Sequence, residues 1–315
     1  MDVFRHIKDI PSELRGCAVA IGNFDGVHLG HRAVIGEAGD FARAEGMPWA
    51  VLTFEPHPRM LFRAGEPPFR LTPFHAKLRR IQELGVDYVV ALAFDRAFAN
   101  QTPEWFVTEI LVKGLEARHV FSGYDFNFGK GRHGDSSLLL RMGQESGYNF
   151  TCVNALKDQT GAPYSSTRIR HALRDGDPRE AAALIGGPFE IEGRVVEGDA
   201  RGRSIGFPTA NIPLGDYLVP ALGVYAVRAG IERPDGISWH DGVANLGRRP
   251  TFDGEGVVLE TYLLDHSEDL YGKHLRVALL EFLRPETKFD GIEALKAQIQ
   301  QDCALARDIL AEERH

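Results

Sequence analysis

The sequence predicts an α/β domain with a doubly wound parallel sheet, followed by an antiparallel β-barrel domain with a C-terminal helix. Three observations predict it. Strand and helix patterns alternate from about residue 17 to residue 155, which is the rhythm of βαβ units and a parallel sheet. After Gly186-Gly187-Pro188 the rhythm changes to short strands at close spacing, punctuated by Gly, Pro and Asp, the pattern of a barrel or sandwich. A single long apolar-periodic segment then ends the chain.

Residues 17–21 (CAVAI) form a short buried-strand run, and residues 31–45 place Val34, Ala38, Phe41 and Ala42 on one helical face before Gly46. Residues 49–54 (WAVLTF) read as the second strand. Thr72-Pro73 reads as an N-cap with a first-turn proline, opening a helix that carries Leu78, Ile81 and Leu84 inward and stops at Gly85. Residues 87–94 are the third strand; Thr102-Pro103 repeats the helix-start device, with Gly114 as its stop. A strand from 118–122, a helix near 136–146 and a strand from 149–155 complete the first part. Strands are then expected at 189–197, 205–212, 223–231, 237–246, 257–264 and 274–283. In the closing helix Ile292, Leu295, Ile299, Cys303, Leu305 and Ile309 fall roughly on one side. The domain boundary is expected near 184–188, giving domains 1–184 and 185–315.

Composition bounds the function. The 315 residues suffice for two domains of ordinary size, and the apolar and charged fractions, 43% and 25%, are those of a globular protein. The net charge of -8 argues against a nucleic-acid partner, but not against a nucleotide, which needs only a local cluster of donors. Cys17, Cys152 and Cys303 lack metal-ligand spacing, and one must stay unpaired, so a reducing cytoplasm is expected. The first residues carry no apolar h-region, and no apolar run approaches the ~20 residues that span a bilayer, so no membrane partner is expected. Self-association, if any, is expected to be weak.

The richest segment is Ile-Gly-Asn-Phe-Asp-Gly-Val-His-Leu-Gly-His, residues 21–31, where the first strand runs into the first helix. His28 and His31 are three apart and share a helix face, and Gly30 permits close approach to the backbone. A helix N-terminus adds free N–H groups and partial positive charge. Such a set suits in-line displacement on a triphosphate, which needs charge stabilisation more than covalent help. Read alone, the segment also fits a turn with two surface histidines.

The stretch resembles the HxGH signature of the nucleotidyltransferase superfamily, and GNFDGVHLGH is similar to its form in prokaryotic FAD synthetases. Three later segments support that resemblance: Thr53-Phe54-Glu55-Pro56-His57-Pro58, the run from Gly123 to Gly131, and Ser165-Ser166-Thr167-Arg168-Ile169-Arg170. The resemblance implies that His28, His31, Ser166, Thr167 and Arg170 hold ATP and its transition state. Asn23 and Asp25 would shape the phosphate turn, with Gly30 beside them. Phe54, Pro56 and Pro58 would line the flavin side. Asp125 falls at a flavin-side position near the transferred phosphate where asparagine is frequent, and Arg32 stands where glutamine often follows the second histidine.

A second constellation lies at residues 194–212. Gly198, Gly202 and Gly206 make a close-approach loop, and Thr209 and Asn211, two apart on an extended segment, point to the same side. Two neutral oxygen ligands plus phosphates suit Mg²⁺. Alone, the loop is equally a Gly-rich hairpin. GRSIGFPTAN nevertheless resembles the riboflavin kinase loop, as do the stretches 242–252 and 259–272. The resemblance implies that Thr209 and Asn211 bind Mg²⁺ and ATP phosphate, with Gly202 and Gly206 beside the nucleotide and Glu260 as catalytic base. A base is needed because the nucleophile is a neutral hydroxyl. Tyr262 stands where histidine is common and His266 where an aromatic is common.

The resemblance spans about residues 17–310, with seven motifs in family order. It implies a bifunctional enzyme with ATP as co-substrate and Mg²⁺, converting riboflavin to FMN and FMN to FAD. A single-activity adenylyltransferase and a flavin-binding regulatory protein are the alternatives. The TFEPHP and PTAN segments speak against the first, and the intact His28, His31, Thr209, Asn211 and Glu260 against the second.

Overall fold

The computed structural model describes residues 1–63, 65–197, 205–234, 236–251 and 254–312. Contacts divide the chain into two compact units, one of Met1–Pro67 and Thr72–Ser165, the other of Pro68–Leu71 and the residues from Ser166 onward.

The first unit contains β1 (Asp2–Phe4), β2 (Ala18–Ile21), α1 (Leu29–Glu45), β3 (Trp49–Glu55), α2 (Pro58–Phe62), α3 (Phe74–Gln82), β4 (Tyr88–Ala93), α4 (Arg96–Ala99), α5 (Pro103–Trp105), β5 (His119–Gly123), α6 (Ser136–Ser146) and β6 (Asn149–Val153). Its strands form one sheet in the order β1-β4-β3-β2-β5-β6, parallel at every pairing. The expected α/β class is therefore observed. β2, β3 and β4 are apolar almost throughout because helices cover both faces of such a sheet. One core joins Val19, Leu52 and Val90 to Phe106, Leu111 and Leu139; the other joins Ala20, Val51 and Val89 to Ile35, Ala38 and Ile81. Leu78 and Leu84 pack partly against the second, as the periodicity predicts. β2 pairs with β3 on one side and β5 on the other, so the winding reverses at its carboxyl end, where open α/β sheets bind ligands.

Several local expectations need correction. The N-terminal residues add an edge strand beside β4, which three residues without periodicity do not announce. α1 begins at Leu29 rather than 31, because the His28 side chain caps it. Thr72 is no helix cap: α3 starts without a side-chain cap, and the Thr72 hydroxyl accepts from the Gly26 N–H (2.8 Å) instead. Thr102 does cap α5, accepting from the Trp105 N–H at 3.1 Å, but beyond it residues 106–112 widen into a π-helix.

The second unit begins with α7 (Ser166–Arg174) and α8 (Pro178–Ile185), the latter capped by Asp177 and ended by Gly186 in the left-handed conformation that glycine tolerates best. β7 (Phe189–Arg194), β8 (Ala210–Pro213), β9 (Gly223–Arg233), β10 (Gly236–Thr251), β11 (Gly254–Leu263) and β12 (His274–Pro285) follow, then α9 (Ile292–Glu312). The strands order as β7-β12-β9-β10-β11-β8, antiparallel throughout. The sheet curls until Val196, just past β7, bridges Asn211 of β8, with its N–H 2.9 Å from the Asn211 carbonyl. β8 is shorter than the 205–212 expected, and β10 runs five residues past 246. The α9 face is also corrected. Asp302, Cys303, Ala306 and Leu310 are buried, whereas Ile292 and Leu305 are exposed. Asp302 goes inward because Arg284 grips it through both carboxylate oxygens (3.0 and 2.7 Å) and Gln298 donates to it (3.0 Å).

Two candidate active sites

The turn from β2 into α1 carries the first site. Phe24 and Val27 adopt positive φ of 49° and 42°, with Gly26 at 93° between them. Non-glycine residues persist there only when neighbours over-determine the backbone, and here they do. Asp25, almost fully buried, accepts from the Thr72 N–H at 3.0 Å, the Thr72 hydroxyl holds the Gly26 N–H, and the Thr53 hydroxyl donates to the Asn23 carbonyl at 3.2 Å. The buried ammonium of Lys77 in turn donates to Thr53 (3.4 Å). Asp25 thus braces the turn from behind, while Asn23 is exposed.

The two histidines meet at the start of α1. Their rings stack with centroids 3.6 Å apart and planes 20° apart, and His28 Nδ1 accepts from the His31 N–H at 3.3 Å. His28 is buried and His31 half-buried, its ring edge-on to Phe24 at 5.4 Å. What crowds Gly30 is the chain itself: a Cβ there would lie 3.2 Å from the His28 ring and 3.3 Å from the Tyr164 carbonyl. Arg32, half-buried, donates to the Val27 carbonyl (3.1 Å) and ties the first turn of α1 to the loop before it.

Phe54 is a core aromatic, 5% exposed and ringed by Phe94, Phe98 and Phe106 at 5.8–6.2 Å. Pro56 and Pro58 flank His57, whose side chain caps α2 with Pro58 in its first turn. Asp125 is exposed, and its carbonyl accepts from the Asn127 side chain at 2.9 Å. Among the described residues of the first unit, Phe62, 69% exposed beside Phe94, and Tyr124, 54% exposed, do reach the surface; periodicity offers no signal for either. Ser166, Thr167 and Arg170 stand in the first two turns of α7, in the second unit. Arg170 there donates to the Phe69 carbonyl at 2.9 Å.

The second site is a cavity of about 960 Å³ in the barrel unit. Thr209, Asn211 and Glu260 all line it. β11 runs between β8 and β10, and Glu260 is directly opposite Asn211 on one side and Asn245 on the other. Residues opposite one another in a sheet share a face, so Asn211, Glu260 and Asn245 form a row along the cavity wall. Gly206 adopts φ 90°, which favours glycine, whereas Gly202 lies outside the described residues. Tyr262 and His266 also line the cavity, Tyr262 edge-on to Phe207 at 5.4 Å. Burial, then the neighbouring His240, pushes the His266 imidazole below its ordinary value. Glu268 beside it is held down to about 2 by hydrogen bonds from Lys273 and Arg233.

Arg249 is the residue that the sequence reading missed. It grips Glu260 through two parallel bonds, Nε to Oε1 at 3.0 Å and Nη2 to Oε2 at 3.1 Å, and lies 3.6 Å from Glu286. That pairing, above all the hydrogen bonds to Glu260, raises the guanidinium above its ordinary value. The available signal was strand parity: Asn245, Gly247 and Arg249 alternate onto one face once β10 is known to continue to Thr251.

Known proteins match the chain over nearly its whole length. The FAD synthetase family model matches residues 10–168 and the riboflavin kinase model residues 185–310. The bifunctional riboflavin kinase/FMN adenylyltransferase of Escherichia coli K12 is 45% identical over 305 residues, covering 96% of this chain and 95% of that protein. Its counterpart from Pseudomonas fluorescens is 40% identical over 316 residues and covers both chains fully. A crystal structure titled as a macrolide-efflux protein from Streptococcus pneumoniae matches with a TM-score of 0.84 at 32% identity, covering 97% of this chain and 98% of that one. No helix among the described residues is long and apolar enough to cross a membrane. A parallel sheet with a histidine pair at its switch point, a barrel cavity with a threonine, an asparagine and a carboxylate, and relatives at this identity over nearly the whole length lead to one conclusion: the chain belongs to the bifunctional riboflavin kinase/FMN adenylyltransferase family.

Proposed function

We propose that this chain makes FMN in the barrel cavity and FAD at the β2–α1 turn, with residues 185–315 serving the first reaction and 1–184 the second. What supports the reading most directly is that a hydroxyl, an amide and a carboxylate from Thr209, Asn211 and Glu260 line one cavity large enough for a flavin.

In the kinase reaction Glu260 accepts the proton of the terminal ribityl hydroxyl of riboflavin. The oxygen forms its bond to the γ-phosphorus of ATP as the bond to ADP breaks, and ADP leaves with that electron pair. Thr209 and Asn211 offer the hard oxygen donors that Mg²⁺ takes together with nucleotide phosphates, and they would hold it here. The ion would neutralise phosphate charge.

In the adenylyl transfer an FMN phosphate oxygen attacks the α-phosphorus of ATP and pyrophosphate leaves. The nucleophile is already anionic, so the site needs positioning and cationic or N–H donors, with no base. His28, His31 and the backbone of the turn supply these, with Gly30 giving room for the His28 ring. Asn23 and Asp25 shape the turn. Ser166, Thr167 and Arg170 act as further phosphate ligands, and Phe54, Pro56, Pro58 and Asp125 belong to the flavin side. Gly206 serves the kinase nucleotide. ATP, riboflavin and FMN are the partners; self-association is weak at most, and the cytoplasm supplies the ATP.

The test is a chromatographic time course with riboflavin, ATP and Mg²⁺. His28→Ala should stop FAD formation while FMN still accumulates, and Glu260→Ala should stop FMN formation while added FMN still becomes FAD. Folded variants that each lost both activities would overturn the two-site reading.

A further inference from the structure

We propose that Arg249 is the positioning residue of the kinase reaction: its guanidinium sets the plane and direction in which Glu260 meets the acceptor hydroxyl. The inference rests on the reading of Glu260 as the base and deepens it.

A glutamate on a barrel strand has three side-chain torsions to settle, and ordering a long side chain costs conformational entropy. Arg249 removes most of that freedom. A two-bond fork aligns the carboxylate plane with the guanidinium plane, which a single bond cannot do. The fork is itself anchored. Arg249 Nη1 donates to the Arg248 carbonyl at 2.9 Å and faces Glu286 at 3.6 Å, and the Asn245 amide donates to the same Glu286 oxygen at 3.3 Å. Asn245 is also the residue opposite Glu260. The chain Glu286–Arg249–Glu260 thus spans β10, β11 and the segment after β12, and all three side chains line the cavity.

The arrangement leaves Glu260 able to act. An ionised carboxylate has about four lone-pair sites, of which the fork takes two. Phosphoryl transfer asks little of basicity, because its loose transition state leaves the hydroxyl proton to move late and makes orientation the larger demand. A residue that orients the carboxylate through two parallel bonds fits that chemistry. Glu286 keeps the guanidinium in place once Glu260 has taken the proton and its charge is gone.

The experiment measures steady-state riboflavin phosphorylation by the full-length chain carrying Arg249→Met, Arg249→Lys, Glu260→Gln, or Arg249→Met with Glu260→Gln. The urea midpoint of the barrel unit in each preparation, compared with that of the unaltered chain, reports that this unit is folded, and FMN adenylylation reports the same for the first unit. Arg249→Met should lower kcat by about 10- to 100-fold, the loss expected from a misplaced reacting group, with KM for ATP and for riboflavin nearly unchanged. Arg249→Lys, which keeps the charge without the fork, should recover only part of the loss. In the Glu260→Gln background Arg249→Met should cost nothing further. A raised KM for ATP with kcat intact would overturn the proposal by making Arg249 a phosphate ligand. A further loss in the Glu260→Gln background would overturn it by showing action not routed through Glu260. Full turnover by Glu260→Gln would instead overturn the base assignment itself, whatever Arg249→Met does.

Discussion

Replacing Thr72 by valine should loosen the β2–α1 turn and leave the barrel untouched. Thr72 is 4% exposed, and its hydroxyl is the acceptor for the buried Gly26 N–H at 2.8 Å. The same hydroxyl reaches Asp25 Oδ1 at 3.4 Å, a weak contact, whereas the Thr72 N–H bond to that oxygen, 3.0 Å, survives any side-chain change. Valine keeps the shape and removes the oxygen, so the main loss is one buried N–H left without its acceptor, about 1–3 kcal/mol. At roughly 2–4 °C per kcal/mol for a domain of this size, the first unit should melt about 2–12 °C lower. The flanking residues Phe24 and Val27 sit at positive φ, so the turn has little reserve against relaxation. FAD formation from added FMN should fall about 10- to 100-fold, with riboflavin phosphorylation unchanged. Calorimetry and the two separate assays read the three quantities. Thr72→Ser restores the oxygen and should restore both stability and FAD formation. An unshifted melt with full FAD formation in the valine variant, or a serine variant as impaired as valine, would refute the argument.

Two further outcomes follow from the barrel unit. Asp302→Ala strands the Arg284 guanidinium, 20% exposed, that now grips a carboxylate only 6% exposed; urea denaturation followed through kinase activity should show a loss of about 3 kcal/mol, the low end for a broken buried pair because Arg284 keeps some solvent. The His266 imidazole is pushed below its ordinary 6.5, chiefly by burial, then by His240 and the cations Arg233 and Lys273 against the opposing Glu268, so its contribution is present above about pH 6.5 and is lost as pH falls below it. His266→Phe should therefore flatten the decline in urea midpoint between pH 7 and pH 5, and an equally steep decline in both proteins would sink that attribution.

What could be read in advance divides along a physical line. Local signals were legible. The Thr102 cap, the Gly46 stop, the five strands of the parallel sheet from residue 18 on and the histidines at the head of α1 each depend on residues within one turn of one another. Non-local signals were not. Thr72 looks like a helix start, yet its hydroxyl is claimed by Gly26, 46 positions earlier. Asp302 breaks the apolar stripe of α9 because its partner, Arg284, is on β12. β1 has only three residues and exists because β4 offers an edge. Even at the site the same split holds: the motif string through residues 242–252 was visible, but Arg249 acquires a meaning only from the β10–β11 pairing that brings it to Glu260.

That split bears on why two chemistries fit one chain. On the proposed assignment, adenylyl transfer to FMN uses a nucleophile that needs no deprotonation, and its site is built from backbone geometry: a strained turn, buried bracing at Asp25 and a histidine pair pinned by stacking. The turn and the histidines follow one strand into one helix, and the bracing of Asp25 comes from afar, from Thr72, 47 positions on. Phosphorylation of a hydroxyl needs a carboxylate held in a set direction, and a single strand cannot supply both the acid and the group that orients it. An antiparallel hairpin can. Glu260 comes from one strand and its fork from the next, with Asn211 contributed by a third. On that assignment the barrel suits the second reaction, because neighbouring strands fix the spacing between side chains that the sequence keeps far apart.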